Sequence, residues 1–265
     1  MIQTIFQVDA FAREIFQGNP AAVIPLAEWL PDKTMQAIAM ENQLSETAFL
    51  RVSSDGYGLR WFTPTIEVDL CGHATLATAH VLFEDLQTRE EIVSFQTHSG
   101  ILSVRRDIDG YAMDLPADPP NPVSGYEEIL QKALGHRPDA VLQGRDDLVA
   151  ILESEEQIRD LAPDFRQIAT LPFRGLIVSA PGESFDFVSR CFFPQSGIDE
   201  DPVTGSAHAT LAPYWVARLS RHKLRARQLS KRGGNVTCRF HEDRVTLIGN
   251  AVTYLRGEYF LPEAT

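Results

Sequence analysis

Basic residues are in the minority: 24 lysines and arginines stand against 36 aspartates and glutamates in 265 residues, a formal charge of -12 with pI near 5.0. That balance argues against nucleic acid or an anionic membrane surface as a partner. Cysteine is scarce. Cys71, Cys191 and Cys238 form an odd set without a Cys-x-x-Cys pair, which excludes a disulfide scaffold or zinc finger and suits a reducing cytosol. No stretch reaches the ~18 to 20 apolar residues that span a bilayer. The start, Met1 to Asp9, lacks the basic region, apolar run and cleavage site of a secretory signal. A cytoplasmic protein without membrane contact is expected. The chain also has no phosphate-binding P-loop, no Rossmann fingerprint and no Gly-x-Ser-x-Gly. Asp69, His73, His80 and the acidic run 199–201 do not fall at metal-ligand spacing. Neither a cofactor nor a metal is expected.

What is present begins with a normal apolar share, 44%, enough for one large or two medium domains. Leu70-Cys71-Gly72-His73-Ala74-Thr75-Leu76-Ala77 opens an apolar segment, and Gly205-Ser206-Ala207-His208-Ala209-Thr210-Leu211-Ala212 opens another. The letters His-Ala-Thr-Leu-Ala recur unchanged, each time after an acidic extended run, Glu67-Val68-Asp69 or Asp199-Glu200-Asp201. A spacing of about half the chain indicates two similar halves and not a solenoid. Neither segment leaves a wide polar face, so each reads as a buried helix.

The rest of the chain offers mainly strands to bury them. Alternating or β-rich runs separated by Gly, Asp and Pro turns recur from residue 2 to 115 and again from 139 to 260, with helices at 32–42 and about 125–135 and acidic helical turns at 154–169. Long strand series broken by few helices indicate an α+β fold, here two pseudo-symmetric halves, each a barrel-like, mostly antiparallel sheet wrapped around a central helix. Pro116, Pro119, Pro120 and Pro122 set the boundary, giving an N-terminal half at 1–117 and a C-terminal half at 118–265 whose extreme end returns to the first.

Glu46 stands out in Leu44-Ser45-Glu46-Thr47-Ala48-Phe49. On a strand it shares a face with Leu44, Ala48 and Leu50, and an acid in an apolar row needs a partner or becomes a proton donor near working pH. The plainer alternative is an edge acid paired with Lys or Arg. His73 falls where the first buried helix begins, so a small carboxylate can dock on the backbone at Gly72, His73 and Ala74 while the imidazole moves a proton; the alternative is a capping histidine. At the second helix Asp201-Pro202-Val203-Thr204-Gly205-Ser206 either caps the helix or holds an anion through Ser206 and nearby N–H groups, with Asp201 orienting a substrate group. Cys71 at a helix N-terminus is expected to have a lowered pKa and to be able to abstract a Cα proton. Matching the five letters sets Ser206 opposite it, and no cysteine lies near the second helix start in the sequence. Lys231-Arg232-Gly233-Gly234 is a basic turn on the surface or at a cleft mouth.

These motifs resemble, in order across essentially the whole chain, the phenazine-biosynthesis PhzF-like family: Asp9-Ala10-Phe11, Gly18-Asn19-Pro20-Ala21-Ala22-Val23, Leu44 to Phe49, Arg60-Trp61-Phe62-Thr63-Pro64, Leu70 to Thr75, Asp201 to His208 and Arg232-Gly233-Gly234. The resemblance implies a diaminopimelate epimerase-like fold with the active site between two halves. It also implies a homodimer and an isomerase that shuttles a proton on a small carboxylic acid without metal or organic cofactor. By motif the shuttling residue is Glu46, catalytic together with His73 and Asp201, while Gly72, Ala74, Gly205 and Ser206 bind substrate. Related epimerases use a cysteine from each half; Cys71 retains one and the second is absent. The alternatives are an epimerase or racemase pairing Cys71 with a non-thiol group, and a non-catalytic binding protein for a small acid.

Overall fold

β-branched and aromatic residues gather in short runs, and the computed structural model, which describes residues 2–261, pairs those runs into strands. Unit 1 holds the residues up to Asp114 and those from Ile248 onward; unit 2 is Leu115–Leu247. The division thus falls just before the expected 117/118. The last strand belongs to unit 1, because it pairs along the whole length of the first strand.

Unit 1 contains β1 (Ile2–Ala10), β2 (Asn19–Leu26), α1 (Asp32–Asn42), β3 (Glu46–Ser53), β4 (Gly56–Phe62), β5 (Glu67–Val68), α2 (Gly72–His80), β6 (Ile92–Thr97), β7 (Gly100–Asp107) and most of β8 (Gly110–Pro116). β1 and β2 are antiparallel, β2 and β3 parallel around α1, β3 and β4 antiparallel, and β5 is antiparallel to β4. After α2, β6 returns parallel to β4, and β6, β7 and β8 form a meander. α1 sets Met35, Ile38 and Ala39 on Ile24, Leu26, Phe49 and Phe62, the 3.6-residue stripe seen in the sequence. α2 packs on β1, β2, β3 and also β7, so the sheet curls around it. All its residues except Gly72 are buried. Its two threonines, fully buried, give their hydroxyls to the carbonyls four residues back: Thr75 Oγ1 to Cys71 O and Thr78 Oγ1 to Ala74 O. The helix ends in a π turn, Val81–Asp85.

Unit 2 repeats the plan with β9 (Asn121–Pro122), α3 (Glu127–Leu134), β10 (Ala140–Gln143), β11 (Asp147–Ile151), the short helices α4 (Glu155–Arg159) and α5 (Phe165–Ile168), β12 (Gly175–Pro181), β13 (Phe187–Phe193), β14 (Ile198–Asp201), α6 (Gly205–Leu219), β15 (Lys223–Gln228), β16 (Gly234–His241) and most of β17 (Arg244–Gly249). The remaining strand, β18 (Ala251–Phe260), is the one that closes unit 1 against β1. β10 and β11 are antiparallel, β11 and β12 parallel around the short helices, β12 and β13 antiparallel, and β15 returns parallel to β13 after α6. This is the strand order of unit 1 from β1 to β6. Even one ion pair is duplicated: Arg60 on β4 grips Glu67 of β5 through two hydrogen bonds of 2.7 Å, and Arg190 on β13 grips Glu200 of β14 at 2.7 and 3.0 Å.

The structural repeat is out of step by two residues with the five-letter identity. α2 starts one residue before His73, whereas α6 starts three residues before His208. The structural register therefore sets Gly205 against Gly72, Ser206 against His73 and Thr204, not Ser206, against Cys71. Glu67 and Glu200 fall in the same register. α6 begins at Gly205, because Ile198–Asp201 remains in a strand with β13 and the turn to the helix needs the next three residues.

α6 contains Pro213, which removes the N–H that would bond Ala209 O. The proline-rich linker repairs the gap: Asp118 N donates to Ala209 O at 3.2 Å, and Thr210 Oγ1 donates to Asp118 Oδ2 at 2.9 Å. His208, fully buried, bonds Thr204 O through Nδ1 at 2.8 Å and leaves Nε2 without a hydrogen bond, so burial pushes its pKa down to about 4. The unfolded chain binds this proton from pH 6.5 downward and the folded chain does so only near pH 4. Stability is therefore complete above 6.5 and falls through that window as pH drops, by about 3 kcal/mol for this one group. Urea unfolding of wild type and His208→Leu at both pH values should show the wild type losing the larger amount; equal losses would refute the assignment.

Candidate active site

Three turns bring the unit 1 cluster together. Gln43, at φ 51, ends α1 and swings the chain into β3, so that Glu46 is the first residue of that strand. Gly18, at φ 66 and with no room for a Cβ against Ala10 O, delivers Asn19 to the head of β2. Cys71, extended at φ -142, turns the chain into α2. The result sets His73 Nε2 3.1 Å from Glu46 Oε2, with the ring buried and the carboxylate 14% exposed. Neither atom makes another hydrogen bond. On the other side of the ring Asn19 Nδ2 donates to Nδ1 at 3.1 Å, and Cys71 Sγ lies 3.6 Å from the same nitrogen. A nitrogen that accepts from an amide leaves the neutral ring's proton on Nε2, facing Glu46.

The partner of Glu46 is thus a histidine and not a lysine or arginine. Burial opposes charge on His73, but its neighbours Cys71 and Glu46 more than offset it, so its pKa lies above the ordinary imidazole value; the Cys71 contribution applies only to its thiolate, so at neutral pH the carboxylate of Glu46 is what favours the charged ring. The thiol moves opposite to the sequence expectation. Burial, then the charge of Glu46, push Cys71 up to about 11, outweighing the contributions of His73 and the Ala74 backbone that pull it down. Cys71 is therefore a thiol at neutral pH. No side chain caps α2, so Gly72 and His73 begin a helix whose positive end has no protein anion bonded as a cap.

In unit 2 the expected residues divide into two clusters. Asp201 is buried at the end of β14, where its Oδ2 accepts from Thr204 Oγ1 at 2.5 Å. Gln228 ties the same turn, accepting from Thr204 N at 2.9 Å and donating to Asp201 O at 2.7 Å. The basic turn joins in, with Ser230 Oγ donating to Pro202 O at 2.8 Å. Ser206, in the first turn of α6, instead accepts from Arg174 Nη2 at 3.1 Å, and that guanidinium is held by two hydrogen bonds to buried Asp147. Cys191, remote in sequence, reaches Thr204 at the helix start from β13. It is fully buried, and burial raises its pKa well above that of a free thiol.

The model of the family described as phenazine biosynthesis-like protein matches residues 8–257. This chain belongs to that family. An uncharacterized isomerase of Pseudomonas aeruginosa is 52% identical over 259 residues, covering 97% of this chain and 99% of the relative. The crystal structure of a phenazine biosynthesis protein of the PhzF family from Enterococcus faecalis superposes with TM-score 0.95 at 47% identity, covering 98% and 100% of the two chains. A hydroxyproline epimerase from Agrobacterium vitis shares the fold alone, with TM-score 0.60 at 9% identity over 97% of this chain and 92% of that one. No helix among the described residues is long and apolar enough to cross a membrane.

Asn19, Arg174 and Asp147 are the cluster members that sequence reasoning missed. Asn19 lay inside a family motif but read only as a turn residue. Arg174 and Asp147 carry no local pattern, because they meet only through the parallel pairing of β11 with β12.

Proposed function

We propose that this family member is an isomerase that moves a proton on a small carboxylic acid, with Glu46 as general acid and base. The observation that carries the reading is the buried Glu46–His73 pair, 3.1 Å apart at the uncapped start of α2. Glu46 removes a proton from the carbon next to an electron-withdrawing group and returns it to another carbon of the same molecule, so no net proton is consumed. His73 aims and stabilises the carboxylate through Nε2–H. The first amides of α2, at Gly72 and His73, offer hydrogen bonds to the anionic charge that develops. In unit 2, Asp201, Gly205 and Ser206 are the second proposed set. Because Ser206 Oγ accepts from Arg174, its own proton remains to donate to a carboxylate. The chemistry needs only these side chains, without an organic cofactor. The relative named an isomerase supports the reaction class.

The test is incorporation of deuterium from heavy water into a panel of small amino, hydroxy and unsaturated cyclic acids, followed by mass spectrometry. A wild type that binds a panel acid but exchanges none of its protons would be a binding protein. Cys71→Ser separates the epimerase chemistry: with the thiol protonated to about pH 11, exchange should survive within about tenfold. Loss of exchange in that variant would make the thiol the base.

A further inference from the structure

The positions that form the unit 1 cluster carry, in unit 2, side chains that do not titrate near neutral pH. Arg60 pairs with Phe49 across β3 and β4, and Arg190 pairs with Val178 across β12 and β13. Three residues back along β3 and β12, Gly175 stands against Glu46, while Thr204 and Ser206 stand against Cys71 and His73. A side chain at 175 is also excluded, because its Cβ would lie 2.2 Å from the Phe193 ring. The residue before it is Arg174, so this strand head brings a fixed positive charge where unit 1 has a carboxylate.

Arg174 is pinned. Its Nε donates to Asp147 Oδ1 at 2.9 Å and its Nη2 to Asp147 Oδ2, its backbone N donates to Asp146 O at 2.9 Å, and the guanidinium lies 5.4 Å from the centroid of the Phe193 ring. Nη2 also donates to Ser206 Oγ at 3.1 Å. A guanidinium has no acceptor, so this bond occupies a lone pair of the serine and leaves its proton free to point elsewhere. The hydroxyls of Thr75, Thr78 and Thr210 spend theirs on the carbonyl four residues back. Ser206 does not, and Pro202 O, the carbonyl four residues before it, receives Ser230 Oγ at 2.8 Å.

We propose that Arg174, fixed by buried Asp147, is a positioning residue that turns the Ser206 hydroxyl into a donor for the carboxylate of a small acid and makes unit 2 select ionised acids over their neutral amides. The inference rests on the reading of Ser206 as a carboxylate donor, and not on proton transfer by Glu46.

Benzoate is the probe, with benzamide as its neutral counterpart, titrated at pH 7 into the full chain while the Ser206 amide signal is followed by NMR. Benzoate should give a saturable shift and benzamide none. Arg174→Gln, and Arg174→Lys, which keeps a cation on Asp147 but loses the planar fork, should each weaken benzoate binding by about tenfold or more. Because Arg174 acts through Ser206, adding either change to Ser206→Ala should cost less than about threefold beyond Ser206→Ala alone, a coupling that a purely structural arginine would not show. Circular dichroism establishes folding, and Arg174→Lys carries the cycle if Arg174→Gln leaves Asp147 unpaired and does not fold. A wild type without a saturable shift, an equal response to benzamide, wild-type affinity in a folded Arg174 variant, or losses that multiply in the double variant would overturn the proposal. Binding is read without turnover, so such a failure leaves proton transfer by Glu46 standing. Absent deuterium exchange beside intact, Arg174-dependent benzoate binding would remove the proton-transfer reading alone.

Discussion

Glu46→Gln should lower deuterium exchange into the responsive acid by about 10²- to 10⁴-fold, the share that a positioned acid–base group contributes, or roughly 3 to 5.5 kcal/mol of barrier. Glutamine keeps the length and planarity of the side chain and can still face His73 Nε2, but it cannot take a proton. The substitution therefore isolates the chemical step from the shape of the pocket. Substrate affinity should change little, so the loss should appear in kcat rather than in KM. Glu46 is 14% exposed and pairs only with His73 through its buried oxygen, so the variant should fold and melt close to wild type. Exchange that persists in folded Glu46→Gln at the wild-type rate would remove the residue as the base.

Trp215→Ala is expected to produce the largest stability loss, about 3 to 5 kcal/mol. The indole is 1% exposed, stacks on Phe187 of β13 with centroids 5.8 Å apart, and donates Nε1–H to Ser179 Oγ of β12 at 3.0 Å. It thus pins α6 to the two strands that unit 2 wraps around it. Removal opens a cavity beneath the C-terminal half of α6, while Ser179 keeps its bond to Val188 O. Urea unfolding followed by circular dichroism should show the midpoint lowered in the transition assigned to unit 2. Trp215→Phe, which keeps the ring stack and loses only the hydrogen bond, should cost about 1 kcal/mol. Equal losses for the two variants would mean that the hydrogen bond, not the packing, holds the helix.

Local physics made much of this protein legible before any coordinates. Turn residues and period-two runs mark the strands. The absence of a polar face marks α2 and α6 as central helices, and the repeated motif marks the two units. Glu46 and His73 were visible for the same reason, as polar groups where the pattern called for apolar ones or a cap. Three matters depended on tertiary structure. The letters His-Ala-Thr-Leu-Ala misstate the register of the repeat, because a helix start is set by where the preceding strand stops pairing and not by local identity. The Cys71 pKa rises instead of falling, because burial and the charge of Glu46, distant in sequence, outweigh the helix end. Asn19, Glu46, Cys71 and His73 meet only because parallel pairing of β2 with β3 brings two distant strand heads to one helix N-terminus. A linear pattern records what each residue prefers; which residues become neighbours across a sheet is decided when the sheet closes on its helix.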